Sequence, residues 1–506
     1  MSYSTDVKSI FECEMILLIL LGLLSLLAWQ LLKKKSTWKG VVPPAPTPHP
    51  IFGHIPTLAK LDPRPQYAFH SLAAEFGNLV RLKMGFKFVL LVSGFEEMKE
   101  IHGTEITQNR AWLDTSNLIY RGTVERKGIL FNYGEEWKEL RRFTLKSLKD
   151  LGFGKNSSEE IILEECREVV NKIKELIEEN NGIVNLDKLF NKAALNIVWH
   201  LTAGERFDYE DEKMHKLHLF MESFIRIGKD IIGKPLGIFP FLRFFPPFRR
   251  VFNNCSNGMK QLRDFISATI SDHEATLDQS NPRDYIDIFL IKGIENPSLM
   301  SNDNLVTCCM DLFVAGSDTT SKSLMFALAF MVWHPEIAAR VREEIQGVIG
   351  ERELVRMADK DQLPFTEATL NEVWRIANVV PITPPRITTD TLYVGQHEIP
   401  ESTFIMSNTY TVHMDEAYWG DPQTFRPDRF LLKDEFRPDE RNIPFGIGKR
   451  RCLGENLARM ENFLIFSNLM KHFSFQSVNG KLPELSPEVG FTNGPPPFEM
   501  LIRTVN

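Results

Sequence analysis

Sulfur offers the strongest chemical signal in this chain, and one cysteine is placed to use it. Phe445-Gly446-Ile447-Gly448-Lys449-Arg450-Arg451-Cys452-Leu453-Gly454 sets Cys452 in a glycine-rich turn, behind three cations and ahead of a helical pattern from Glu455 to Phe466. Cations and a helix N-terminus favour thiolate over thiol, and glycines let backbone amides approach the sulfur. A thiolate there is a metal ligand or a nucleophile, and the lack of an obvious base beside it favours the ligand. The other cysteines, at 13, 166, 255, 308 and 309, form no C-x-x-C pair, so neither a zinc module nor a disulfide framework is indicated.

A second set suits oxygen and proton chemistry. Ala315-Gly316-Ser317-Asp318-Thr319-Thr320 interrupts an apolar run with small and hydroxylated residues and one acid. On a helix the Thr319 hydroxyl reaches the carbonyl of Ala315 four residues back, which bends the helix and leaves room beside it for a small molecule or water. Glu372 and Arg375 lie three apart and share a helix face, as do Trp137 and Arg141 at four apart. Taken singly, such pairs are ordinary surface features. Gly152-Phe153-Gly154 lacks the third glycine of the dinucleotide fingerprint, and Gly448-Lys449 is followed by Arg450 rather than Ser or Thr, so neither phosphate-binding motif is complete.

These groups need a scaffold, and the periodicity predicts one made mostly of helices. Residues 157 to 180 repeat apolar positions three and four apart behind Ser and acidic start signals. Residues 303 to 333, with Asn302 or Asp303 as cap, form a helix of about 46 Å that is apolar enough to cross a domain interior. Another helix begins near Pro364. Strand-like stretches such as Phe88 to Val92 and Thr391 to Val394 are few and predict a minor sheet region.

From about residue 60 there is no repeat, low-complexity linker or second proline-rich break, so the rest of the 506 residues reads as one large domain. Hydrophobic residues at 43% exclude a disordered chain, and a formal charge of -7 excludes a general nucleic-acid binder. Met15 to Leu32 is apolar except for Ser25 and Gln30 and spans about 27 Å as a helix. Lys33, Lys34 and Lys35 follow it, which places the N-terminus outside and the large domain in the cytosol. Pro43-Pro44-Ala45-Pro46-Thr47-Pro48-His49-Pro50 is then a stiff spacer. Between residues 231 and 248, Phe239, Phe241, Phe244, Phe245 and Phe248 crowd a proline-interrupted stretch that suits either membrane contact or a core.

The cysteine turn matches F-x-x-G-x-R-x-C-x-G and resembles the haem-binding loop of the cytochrome P-450 family, in its microsomal animal clan of drug-metabolising and arthropod hormone-synthesising members. Ala315 to Thr320 is similar to that family's [AG]-G-x-[DE]-T-[TS] oxygen groove, and Glu372 and Arg375 to its E-x-x-R helix, with Arg429 in Pro427-Asp428-Arg429-Phe430 downstream. Trp137 and Arg141 match W-x-x-x-R, and Arg386 stands after the E-x-x-R helix. The resemblance implies a mainly α fold, a single large α-rich haem domain with a minor β-sheet region plus one N-terminal transmembrane helix. Its parts are residues 1–14 lumenal, 15–32 anchor, 33–50 linker and 51–506 cytosolic haem-thiolate domain.

By the same resemblance, haem b is the cofactor and Cys452 its iron ligand. Trp137, Arg141, Ala315, Arg386, Phe445, Gly448, Arg450 and Gly454 surround it, Asp318 and Thr319 relay protons, and Glu372, Arg375 and Arg429 form a structural network. The activity implied is insertion of one oxygen atom of O2 into a lipophilic substrate of the steroid, fatty acid or xenobiotic class. Electrons come from NADPH through a separate flavoprotein reductase, with cytochrome b5 as a second donor, at the endoplasmic reticulum membrane. Phe313, Ala315, Val380, Ile382 and residues 108 to 122 are expected to line the substrate pocket. Lys138, Arg142, Lys146 and Lys149 form a helical stripe on which the reductase is expected to dock.

Overall fold

The computed structural model describes residues 38–505 except 39, 51, 86, 112–113, 124, 153–155, 218, 221–233, 489 and 491, together with 19, 22, 23 and 25. Apart from those last four positions, the proposed anchor lies outside the described residues, as do the first residues of the 231–248 stretch. Among the described residues, no single helix is long and apolar enough to cross a membrane.

A helix from Asn302 to Trp333 forms the axis of the molecule. Its cap is Ser301, one residue before the expected position, whose hydroxyl accepts the Asn304 amide at 3.4 Å. Pro335 ends it, because a proline ring cannot continue the ladder. Most of its residues are buried on every face, as befits a helix that runs through an interior. The helix Asp187–Ala203 packs along it, and Gly316 is what permits the approach: a Cβ there would lie 2.6 Å from Val198 Cγ2. The helices Phe248–Thr276, Pro364–Ala377 and Glu455–His472 also pack on the axis.

Two apolar clusters flank this axis. One joins Leu324 to Val332 with Asn156–Glu179, Pro364–Ala377 and Glu455–His472; the other joins Leu305 to Val314 with Trp199, Leu262, Ile266 and Phe289. Each fully buried Leu, Ile or Phe contributes about 1.5–3 kcal/mol.

The sheets are small, as expected. One runs in the order Leu79–Met84, Lys87–Val92, Phe404–Ser407, Arg386–Ile387, Asn109–Arg110, with a parallel pairing only between the second and third strands. Phe473–Gln476, Met500–Thr504 and Ile183–Val184 make another. The first sheet matters to the site because its last two strands set Arg110 opposite Arg386.

Phe241, Phe244 and Phe245 are exposed, so a core role is ruled out for them; Phe239 and Phe248 are half-buried.

Candidate active site around Cys452

The turn that carries Cys452 is held by its own backbone. The Cys452 amide donates to the Phe445 carbonyl at 2.9 Å, and that of Arg451 to Gly448 at 3.0 Å. Gly448 has φ +74, and a Cβ on it would lie 2.3 Å from the carbonyl oxygen of His102, so only glycine lets the turn dock there. Gly454 opens the helix Glu455–His472 and offers its amide to the sulfur.

Of the described cysteines, Cys166, Cys255, Cys308 and Cys309 are buried and Cys452 alone is exposed. Protein nonetheless surrounds the sulfur, and burial pushes the thiol above its ordinary value. The Gly454 amide, Arg141 and Arg451 oppose that rise without reversing it. The flanking cations thus favour the thiolate as expected, but burial outweighs them. Lys449 is tied to Glu105 at 3.0 Å and Arg451 to Glu455. A positive metal at the sulfur would remove the proton outright.

Cations do gather one step further from the sulfur. Arg450 lies over the Trp137 ring at 3.3 Å and donates to the carbonyls of Gln108 and Asn132 at 2.8 and 2.7 Å. Arg141 donates to the Arg451 carbonyl at 2.6 Å. Arg386 donates to the Ile447 carbonyl at 3.4 Å. Arg110, expected only as part of the pocket segment 108 to 122, joins them and donates to the Pro384 and Leu130 carbonyls at 2.6 and 3.2 Å.

No salt bridge to any of these four arginines occurs among the described residues. Burial, reinforced by mutual repulsion, pushes Arg450 down to about 7, Arg386 to about 9 and Arg110 to about 10. Trp137 Nε1 and Arg386 Nε and Nη1 are buried without a hydrogen-bond partner. Such an array is suited to an anion with several oxygens.

On the axial helix, Ala315 is exposed between the buried residues Val314 and Ser317, so the helix presents a small open spot in the interior. The Thr319 hydroxyl donates to the Ala315 carbonyl at 2.8 Å. Asp318 does not bond Thr319. Its Oδ2 accepts from Lys322 Nζ at 2.8 Å and from the Thr492 hydroxyl. Lys322 was readable as an i, i+4 partner of Asp318; nothing in the sequence pointed to Thr492. Val380 and Ile382 are half-buried, whereas Phe313 is buried and packs edge-on against Trp199.

Glu372, Arg375 and Arg429 meet in the interior. Arg375 grips Glu372 with two bonds of 2.7 and 2.8 Å, and Arg429 Nε reaches the same carboxylate at 2.9 Å. Arg375 Nη1 also donates to the His413 carbonyl at 2.7 Å. The His413 ring is driven down to about 3 by burial and by Arg375, so it stays neutral and its Nε2 accepts the Ile443 amide at 2.9 Å. The network thus reaches to within two residues of Phe445, where the cysteine turn begins.

Residues 43–502 match the family model for cytochrome P450. The chain belongs to the cytochrome P450 family. It is 34% identical to cytochrome P450 2U1 of Homo sapiens over 96% of this chain and 93% of that protein. With cytochrome P450 2C3 of Oryctolagus cuniculus it shares 35% over 96% and 99%, and with cytochrome P450 2J2 of Homo sapiens 36% over 83% of each.

Membership of the P450 family implies haem-thiolate monooxygenase chemistry, and the residues present fit haem. The exposed sulfur, the uncompensated arginines and the buried donors of Trp137 and Arg386 offer one iron ligand and a cradle for two carboxylates.

Proposed function

We propose that this P450 is a membrane-anchored monooxygenase that inserts one oxygen atom of O2 into a lipophilic substrate, with haem b as cofactor. When bound, haem supplies the activation and transfer of oxygen. The observation that carries the reading is the pairing of one exposed cysteine with three buried arginines and the half-buried Arg141, none of which has a carboxylate partner among the described residues.

Each residue then has a task. Cys452 holds the iron. Arg110, Arg141, Arg386, Arg450 and Trp137 receive the propionates, while Phe445, Gly448 and Gly454 shape the turn. Ala315 would leave room for the cofactor, and Thr319 would hold a proton at its hydroxyl, with Asp318 as the acid that resupplies it. Glu372, Arg375 and Arg429 fix the turn from below through His413.

Electrons come from NADPH through a flavoprotein reductase, with cytochrome b5 as a second donor. Arg142, Lys146 and Lys149, all exposed on the helix Gly134–Asp150, support a docking face for it. Residues 15–32 anchor the chain in the endoplasmic reticulum, with 1–14 lumenal, 33–50 a linker and 51–506 cytosolic. Phe241, Phe244 and Phe245 rest on the bilayer. The substrate is of the steroid, fatty acid or xenobiotic class.

The test is the reduced carbon monoxide difference spectrum of wild type and Cys452→Ser, followed by reconstitution with reductase, NADPH and a panel of such compounds. A thiolate-type Soret band that survives the substitution overturns the assignment, and oxygenated product in wild type supports the reaction.

A further inference from the structure

Buried lysines are rare because an ammonium in the interior needs compensation, and Lys322 is buried in the axial helix one turn after Asp318. Its Nζ donates to Asp318 Oδ2 at 2.8 Å and to the side chain and carbonyl of Thr492. The Thr492 hydroxyl donates in turn to the same Asp318 oxygen, closing a ring of three groups from the axial helix and the C-terminal loop. That loop lies directly on the lysine stem: a Cβ on Gly494 would meet Lys322 Cγ, Cδ and Cε at 3.0–3.1 Å.

The next residue along ties the loop to a second wall. Asn493 N donates to the Val379 carbonyl at 2.7 Å, and Asn493 Nδ2 to the Asn378 carbonyl at 3.2 Å. Val379 precedes the half-buried segment of Val380 and Ile382, so one short loop touches both the region proposed to border the substrate and the acid proposed to feed the relay.

We propose that Lys322 is a positioning residue: it holds the Asp318 carboxylate by Oδ2 against Thr492, so that the proton-donating acid and the loop at the pocket wall move as one unit. The idea rests on the monooxygenase reading above. Lys322 and Thr492 do not touch the reacting atoms; they act through Asp318. With Oδ2 held by Lys322 and Thr492, Oδ1 is the oxygen left for a proton, and a displaced loop would alter how the carboxylate is turned. Loss of the lysine removes the cation that keeps a buried carboxylate oriented and frees the loop at the same stroke.

The experiment uses the full-length, haem-loaded protein as wild type, Lys322→Met, Lys322→Arg and Thr492→Val, each first checked for the thiolate-type carbon monoxide band. Hydrogen exchange of the amides in residues 485–499 reads the clamp without any turnover. Lys322→Met is expected to speed exchange about tenfold or more, with Lys322→Arg close to wild type. Unchanged exchange in Lys322→Met overturns the clamp. Should that variant fail to hold haem, Thr492→Val, which removes one hydroxyl at constant volume, decides by the same criterion.

In the second arm, reductase and NADPH are supplied with a 7-alkoxycoumarin probe. Product per NADPH is expected to fall about fivefold in Lys322→Met, with a changed pH profile, and to recover in Lys322→Arg. A loosened loop with an unchanged ratio overturns the positioning role. Absence of NADPH oxidation in wild type would instead sink the monooxygenase reading, and the exchange result would still stand on its own.

Discussion

Thr319 and Glu461 show how differently two polar residues on facing helices can behave. The Thr319 hydroxyl is bonded only to its own helix, so its loss costs little structure. Thr319→Ala should bind substrate nearly as wild type but form about tenfold less product per NADPH, the remainder leaving as hydrogen peroxide. An unchanged ratio would count against a role in proton delivery. Glu461 is fully buried, accepts one bond from Thr320 at 3.0 Å, and has Oε1 without a partner; burial pushes its carboxyl up to about 8. A folded-state value raised above the unfolded one means that this group's stabilisation is complete below the usual carboxylate range. It is lost as the pH climbs toward about 8. Glu461→Gln should therefore match wild type in melting temperature at pH 5 and exceed it by about 2 °C or more at pH 8, as read by thermal denaturation. A constant difference across that range would contradict the buried-acid account.

At the scale of elements, the helix Pro364–Ala377 depends on charges that it shares with the chain far downstream. Removing the charge from Glu372 leaves Arg375 buried without a counter-charge and Arg429 with only Asp421 at 3.1 Å, a loss of about 3–5 kcal/mol. Glu372→Gln should lower the urea midpoint and the fraction of protein that retains haem; a midpoint within error of wild type would show the network to be dispensable. This element was legible because Pro364, Glu372 and Arg375 sit in one continuous pattern, and the axial helix was legible from its unbroken apolar run. The cap at Ser301 was missed because Ser, Asn and Asp stand in a row and any of them can cap. The place of Arg110 among the arginines and that of the Thr492 loop stayed hidden for another reason. Each joins the site through contacts with distant segments, and neither carries a local period that would announce it. Helical spacing likewise gave no sign that Phe313 would pack edge-on against Trp199.

Seen whole, the molecule divides its surface between two tasks that composition could not localise. The chain is acidic overall, yet Arg142, Lys146 and Lys149 stand exposed on the helix after Trp137. Charge reversal at Arg142 and Lys146 should slow reductase-supported turnover at low salt, converge on wild type as ionic strength rises, and spare a peroxide-driven reaction. Equal loss in both reactions would remove the docking face. Phe241, Phe244 and Phe245 form the apolar counterpart, with Phe239 packed edge-on against Phe52 beside them. With residues 1–37 deleted, the triple change to Ser should abolish residual liposome binding while the carbon monoxide spectrum persists; binding that survives would place membrane contact elsewhere. The long-range bonds of the cysteine turn also impose an order in time. Arg450 closes on the carbonyls of Gln108 and Asn132, which were made 342 and 318 residues earlier. At about 5–20 residues per second, a ribosome needs roughly 20 to 70 seconds to bring those partners together. For that interval the first third of the nascent chain holds Arg110 and Arg141 with neither the turn they surround nor any anion to face. A message truncated shortly before codon 450 would thus release a protein with nearly all its mass and no means of finishing its centre.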